Sequence, residues 1–450
     1  MIDLSPLVNK TVDFAYRGSR LALDLSHALF SSYTIDAGTR LLLKEVAHDE
    51  AIVQAGSLLD AGCGTGVIGI AMAAASPAMR VVMRDRDLLA VAFAERNCWR
   101  NGLPATRLDL DGQPAPAIEK KSPKHKCRTE RTAPIIIAPG LLGEDDAFGP
   151  YDAVLSNLPA KAGPHILSYF IAICEKKLLR PGGRFGFVIV NTLADMAEDW
   201  CREAGLSIYS KTATKSHTVF LTEKKAPAPV QPPSLEAAST LSATLPNDIS
   251  ENLKNRASKI DFYTRNRLDT HLEHARLQAE GFWGLPEFDT LSYQTQLACE
   301  AFSQHAGSLL VRKALVFEPG IGIAALWIAK MFGPQSLHVV SRDLLSHFAA
   351  ERNLSKSVKT AVVHHSSLEL EQAEQASLDA AFWFPDETPM YDFYTPAWET
   401  LARTMKTGAL AVITAQTGVI ARFEKSKPKE LRKVGEKKKK GYSALIVQRV

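Results

Sequence analysis

The sequence predicts an α/β fold: two Rossmann-like domains in tandem, each on a mainly parallel sheet with an antiparallel last strand, the second copy degenerate. Three observations carry this. Apolar strand-like runs alternate with helix-like stretches, a pattern that requires a parallel sheet with helices on both faces. A glycine-rich turn, Gly62-Cys63-Gly64-Thr65-Gly66, joins one of those runs to a helix. The two halves of the chain also resemble each other. At about one domain per 100–200 residues, a chain of 450 residues has room for both units.

In chain order, the strand-like runs of the first copy are Ser57–Asp60, Arg80–Arg84, Ala153–Ser156, Arg184–Val190 and Thr218–Thr222. Val67–Ala75 and Leu88–Trp99 are the clearest helical stretches between them. The last run of each copy, Thr-Val-Phe-Leu-Thr and Ser-Ala-Leu-Ile-Val, follows a turn signal and reads as an antiparallel hairpin strand. Residues 224–250 are rich in Pro, Ala and Ser without an apolar period, so they read as a solvated linker. The domains are therefore expected at 1–223 and 251–450.

Repeat pairing supports the division. At an offset of 318 − 60 = 258, Asp60 meets Glu318, Gly62 meets Gly320, Gly64 meets Gly322, and Arg84-Asp85 meets Arg342-Asp343. A two-residue deletion then pairs Glu95-Arg96-Asn97 with Glu351-Arg352-Asn353. Upstream, Asp13-Phe14 and Arg20-Leu21 resemble Asp261-Phe262 and Arg267-Leu268.

Composition excludes several classes. With 46% hydrophobic and 23% charged residues the chain is too apolar for disorder throughout. No run approaches the ~18 apolar residues of a membrane span, and the start has no secretory pattern. Six cysteines without CxxC pairs point to reduced thiols in a cytoplasmic compartment. They and His364-His365 read as structural, and no metal site is expected.

The glycine turn implies a nucleoside-bearing ligand. Glycines serve where backbone bends tightly and a ligand approaches closely, and the following helix offers unpaired N–H groups. Asp85 ends the next strand, where an acid can accept both ribose hydroxyls. Gly64-x-Gly66-x-x-Gly69 also fits the dinucleotide pattern. Counting from Gly62 instead puts Asp60 at the strand end, free to meet a cationic cofactor.

Asp-Ala-Gly-Cys-Gly-Thr-Gly (60–66) with Asp85 resembles the cofactor signature of class I S-adenosylmethionine-dependent methyltransferases. Ile35-Asp36-Ala37-Gly38-Thr39-Arg40-Leu41-Leu42-Leu43 is similar to the segment before the first strand in the methyltransferase small domain group. Ser156-Asn157-Leu158-Pro159-Ala160-Lys161-Ala162-Gly163 resembles that group's Asn-Pro-Pro motif, and the Arg-Pro-Gly-Gly stretch within Leu178–Arg184 leads into the next strand as in many class I methyltransferases. The tandem layout resembles ribosomal RNA guanine-N2 methyltransferases, although there the active copy is usually C-terminal and here the better-preserved motifs are N-terminal.

The resemblance implies a cofactor, S-adenosylmethionine, held by Gly38, Thr39, Asp60, Gly62, Cys63, Gly64, Gly66 and Asp85, with Asp109 or Asp111 as adenine contact. It implies catalysis at Asn157, Leu158 and Pro159, where the Asn157 side-chain oxygen and the Leu158 carbonyl accept protons of an exocyclic amine. Leu158 replaces the family's first proline, which predicts a less rigid corner, and Ala160 stands where relatives carry a base-stacking aromatic. In the second copy Gly66 becomes Ala324, Cys63 becomes Ile321 and Asn157 becomes Phe384, which predicts a catalytically dead domain.

Two basic segments, 120–131 and 425–442, read as loops suited to RNA phosphates; lysine-rich solvated loops are the plain alternative. The expected function is methylation of a base amine, guanine N2 or adenine N6, in structured RNA. A protein glutamine N-methyltransferase poses the same chemical problem, and an RNA-binding assembly factor with decayed catalysis is a non-enzymatic rival.

Overall fold

In the computed structural model, residues 3–118, 131–143, 146–226, 256–366, 374–385 and 392–450 are described. The chain divides into Met1–Lys259 and Ile260–Val450. From residue 227 onward, the expected linker lies outside the described residues.

The first unit opens with a hairpin, β1 (Val8–Tyr16) and β2 (Ser19–Ser26), followed by helix α1 (Ala37–Val46). Then come β3 (Ser57–Ala61), α2 (Val67–Ala75), β4 (Arg80–Asp85), α3 (Leu88–Arg100), β5 (Thr106–Arg107), β6 (Ile135–Pro139) and β7 (Tyr151–Asn157). The unit closes with α4 (Pro164–Ile173), β8 (Leu179–Val190), α5 (Ala194–Ala204), β9 (Leu206–Ala213) and β10 (His217–Lys224). The sheet order is β5-β6-β4-β3-β7-β8-β10-β9. All its pairings are parallel except those of β10, which runs antiparallel between β8 and β9.

Alternation along the strands explains the layers. Leu58, Val81, Met83, Ala153 and Leu155 point to one face and pack with Leu42, Ile68, Val91 and Cys98 of α1, α2 and α3. Leu59, Val82, Val154, Phe185 and Phe187 point to the other and pack with Leu167, Phe170, Ala197 and Cys201 of α4 and α5. Strands covered on both faces need no polar side, so they read as continuous apolar runs.

The second unit repeats this plan. It comprises β11 (Thr264–Leu272), β12 (Ala275–Phe282), α6 (Tyr293–Ala306), β13 (Lys313–Phe317), α7 (Ile323–Phe332), β14 (Ser336–Ser341) and α8 (Leu344–Ser355). After these come β15 (Ala361–Ser366), β16 (Leu378–Trp383), α9 (Tyr394–Thr404), β17 (Met405–Gln416), α10 (Thr417–Lys425), β18 (Leu431–Lys439) and β19 (Tyr442–Arg449). Its order, β15-β14-β13-β16-β17-β19-β18, matches the first sheet without β5.

The backbone corrects the expected register of the repeat. The Asn97 amide donates to Thr65 O and Asp24 O, and the Asn353 amide to Ile321 O and Glu280 O, an offset of 353 − 97 = 256. The same offset relates the buried Arg96–Asp24 pair (2.8 Å) to Arg352–Glu280 (2.7 Å), and the helix caps Asp87 and Asp343. It holds from the first hairpin, where the bulges at Val8/Lys10 and Thr264/Asn266 coincide. No two-residue deletion exists. Gly-x-Gly looks like itself when slid by two residues, which is why the motif alone misaligned.

In the corrected register Gly62, Gly64 and Gly66 correspond to Glu318, Gly320 and Gly322, all with positive φ. Asp60 corresponds to Val316, Cys63 to Pro319 and Asp85 to Ser341, while Asp343 is the counterpart of the cap Asp87. Upstream, Asp13 and Arg20 correspond to Asp269 and Arg276 rather than to Asp261 and Arg267. Strand register keeps the Phe384 match: Tyr151 pairs with Leu179 and Ala153 with Arg184, as Leu378 pairs with Met405 and Ala380 with Leu410.

Two further expectations change. Residues 431–439 form strand β18 at a sheet edge instead of a loop. Its lysines are partly neutralised: Lys437 and Lys439 meet Glu300 at 2.7 and 3.6 Å, and Lys433 meets Glu424 and Glu436. Edge lysines of this kind also deter strand-to-strand association. Of the segment 120–131 only Arg131 is described; it donates to the Ala73, Ser76 and Met79 carbonyls at the end of α2.

Candidate active site

The site is assembled at the C-terminal ends of three adjacent strands. β3 lies between β4 and β7, the position where strand order reverses and where open α/β sheets take ligands. The glycine turn leaves β3, Asp85 ends β4, and Asn157 ends β7.

The three glycines of the turn do different work. A Cβ built on Gly62 or Gly64 meets nothing within 4 Å, so their backbone faces open space. One built on Gly66 comes within 3.2 Å of the Ala94 backbone, so Gly66 lets α2 approach α3. All three have φ between 54° and 85°, a region that penalises a side chain. Gly62 and Gly64 therefore present bare backbone at the end of β3.

Asp85 braces that surface: its carboxylate accepts the Gly64 N–H at 2.9 Å and the Asp87 N–H at 3.0 Å. Asp60 differs from its expected role. It is fully buried within β3, and one oxygen accepts the Gly69 N–H of α2 at 2.8 Å. Burial raises its pKa to about 7, and the second oxygen finds no hydrogen-bond partner among the described residues. Asp60 is thus not free at the strand end but supports the turn from beneath. A carboxyl starved of partners in this position fits a turn that receives a positively charged ligand. The Cys63 thiol is buried beside it, and burial pushes its pKa up.

Asn157 is held from the other side. Its amide nitrogen donates to Asp36 Oδ2 and Thr39 Oγ1, both at 3.0 Å. Asp36 is also the N-cap of α1, accepting the Thr39 N–H at 3.2 Å. Gly38 permits this closeness, since a Cβ there would stand 2.9 Å from the Asp36 carboxylate and 3.3 Å from Val188. Both protons of the Asn157 amide are thereby used, and its oxygen is left as the acceptor.

Leu158 does not loosen the corner. Its N–H donates to Val188 O at 3.0 Å and its side chain is buried among Phe170, Phe187 and their neighbours. Pro159 then leads into the turn Ala160–Ala162, and Gly163 opens α4.

Asp109 is not brought to this group. It follows β5, one strand beyond β6, and its carboxylate accepts the N–H groups of Asp111 and Gln113 in its own exposed turn. The strand beside β4 is β6, so the segment after Pro139 takes the place expected for Asp109. Sequence reading also missed Asp36, which its helix-capping position before Gly38-Thr39 could have signalled.

The second unit has closed the equivalent space. The half-buried Glu318 carboxylate, its pKa raised to about 7 by desolvation, accepts from Ser341 Oγ at 2.9 Å and the Arg342 N–H at 3.0 Å. Pro286 lies 3.5 Å from a Cβ built on Gly320, and Phe384 replaces Asn157.

Residues 21–119, which hold α1, the glycine turn and Asp85, match the family model for the methyltransferase small domain. Among curated proteins, the chain is 40% identical over 84 residues to ribosomal RNA small subunit methyltransferase C of Pseudomonas fluorescens, covering 19% of this chain and 24% of that one. It is 34% identical over 97 residues to the protein of the same name from Haemophilus ducreyi, covering 22% and 29%. The matched stretch thus spans about a quarter of the length of these relatives. Among solved structures, the Thermus thermophilus 16S rRNA N2 G1207 methyltransferase RsmC, in complex with AdoMet and guanosine, superposes with a TM-score of 0.63. It does so at 16% identity over 99% of both chains, a likeness of fold.

Proposed function

We propose that the chain transfers a methyl group from S-adenosylmethionine to an exocyclic amine of a base in structured RNA, and that the first unit carries the reaction. The observation that carries this reading is the Asn157 amide, fixed with its oxygen as acceptor on the strand beside an open glycine turn. The cofactor, held at Gly62, Gly64 and Asp85, would supply an electrophilic methyl group on a sulfonium.

The protein's part is positioning and electrostatics. An exocyclic amine is a poor nucleophile because its lone pair is delocalised into the ring. The Asn157 oxygen and the Leu158 carbonyl accept hydrogen bonds from its two N–H groups, turning the lone pair out of conjugation, and one of those protons is released to solvent once the nitrogen is methylated. Both acceptors gain strength as the nitrogen becomes positive, so they favour the transition state over the ground state. Asp60 supports the turn from beneath through its bond to the Gly69 N–H.

Ribosomal RNA is the favoured substrate because the named relatives are ribosomal RNA methyltransferases, and guanine N2 because the solved neighbour carries guanosine. Stacking on the base would fall to Phe30 and Tyr33, which stand 74% and 59% exposed just before Asp36, since Ala160 cannot supply it. Stacking on exposed aromatics is how unpaired bases are commonly held.

Tritiated S-adenosylmethionine supplied with RNA and protein extracts from a strain lacking the gene tests the proposal. Label in the RNA, lost on the order of 10²–10³-fold in rate with Asn157→Ala, is the expected result. Label in the protein fraction would move the function to an amide nitrogen, and no label in either would contradict transfer.

A further inference from the structure

The duplicated fold contains its own control for one residue beside the site. Asp36 and Ser292 occupy the same position, the N-cap of α1 and of α6, and each accepts the N–H three residues on, from Thr39 at 3.2 Å and from Thr295 at 3.0 Å. Serine therefore caps this helix as well as aspartate does, in keeping with the near equality of the two as caps. Capping does not explain why the first unit has a carboxylate there.

The difference lies across the sheet end. In the first unit the Asn157 amide donates hydrogen bonds to the Asp36 carboxylate and to the Thr39 hydroxyl. In the second unit the counterpart of Asn157 is Phe384, which offers no amide, and the buried carboxylate at the cap, Glu287, is bound instead to the Ser292 N–H and Oγ at 3.1 and 2.9 Å. Thr295 remains, and its hydroxyl is instead engaged by Ser292 Oγ at 3.0 Å. A carboxylate that meets a side-chain amide at this cap is thus found in the first unit, whereas the second unit's acid meets only its own cap.

We propose that Asp36 is a positioning residue for methyl transfer: it fixes the Asn157 amide so that its oxygen, not its nitrogen, faces the target amine. This rests on the function proposed above. An unconstrained amide presents either end, and an NH₂ group facing the substrate amine would repel it. The carboxylate removes that alternative, and it polarises the amide so that the oxygen becomes a stronger acceptor. Thr39 alone is a weaker anchor, because a hydroxyl can also donate and would tolerate the flipped amide.

The test uses the full chain, tritiated S-adenosylmethionine and RNA from a strain lacking the gene. Asp36→Ser should lower turnover about 10-fold to 100-fold, the scale of a misplaced reacting group. Cofactor KM and thermal midpoint should change little, because serine still caps α1. Asp36→Asn, which keeps an acceptor oxygen, should retain more activity than Asp36→Ser. Because Asp36 acts through Asn157, adding Asp36→Ser to Asn157→Ala should cost nothing further.

Losses that multiply in the double variant, or a wild-type rate with Asp36→Ser, would overturn the proposal. A wild-type chain that labels no RNA contradicts the function instead, and the contact is then read by NMR. The Asn157 side-chain amide resonances, identified by their loss in Asn157→Ala, should move and lose protection from exchange in Asp36→Ser. Unchanged resonances would overturn the contact itself.

Discussion

Asp60 sits beneath the glycine turn with one oxygen on the Gly69 N–H and a pKa near 7. An unfolded aspartate titrates near pH 4, so the folded carboxyl holds its proton more tightly and folding takes up a proton between about pH 4 and pH 7. Its contribution to stability is greatest below that window and falls as pH rises through it. Urea midpoints of wild type and Asp60→Asn should therefore differ least near pH 5 and diverge toward pH 8, the variant being the more stable. Parallel curves would show that Asp60 is ionised at both pH values. At this scale the sequence marked the right residue types and some wrong roles. Asp60 was legible as an acid before a glycine turn, but its burial follows from the helix lying over it. Asp109 resembles a strand-end acid because it follows the short β5, but β6 lies between that strand and β4. Asp36 was hidden because a helix cap and a side-chain partner look the same in one dimension.

The glycine turn, the helix caps and the edge strands are where elements impose their own requirements. Gly66 and Gly205 both have φ above 80°, but a Cβ on Gly66 meets the Ala94 backbone while one on Gly205, at the end of α5, meets nothing. Gly205→Ala should cost about 1 kcal/mol from backbone strain, and Gly66→Ala should cost roughly 1–3 kcal/mol more from forced separation of α2 and α3. Thermal unfolding of the two variants measures the gap, and equal losses would mean that α2 yields freely. Helices and buried strands were legible because their apolar periods are long. The lysine-rich β18 was read as a loop because charge masked its alternation; partners such as Glu300, far away in sequence, become neighbours only in the fold.

Across the whole molecule the chain is one unit used twice, in a constant register from the first hairpin to the helix after the second strand. The first copy adds the stretch around β5; the second has exchanged its site acids for Val316 and Ser341 and turned Glu318 into the space between turn and strand. Duplication was visible in sequence because buried residues that bond the backbone, such as Asn97 and Asn353, persist. The register was not, because positive φ, and not glycine identity, defines the turn. The asymmetry between the copies is the central claim, and binding stoichiometry tests it most directly. Calorimetric titration of the full chain with S-adenosylmethionine should give one site per chain, weakened at least 10-fold by Asp85→Ala and unaffected by Ser341→Ala. Two sites per chain, or one that survives Asp85→Ala at full affinity, would contradict it.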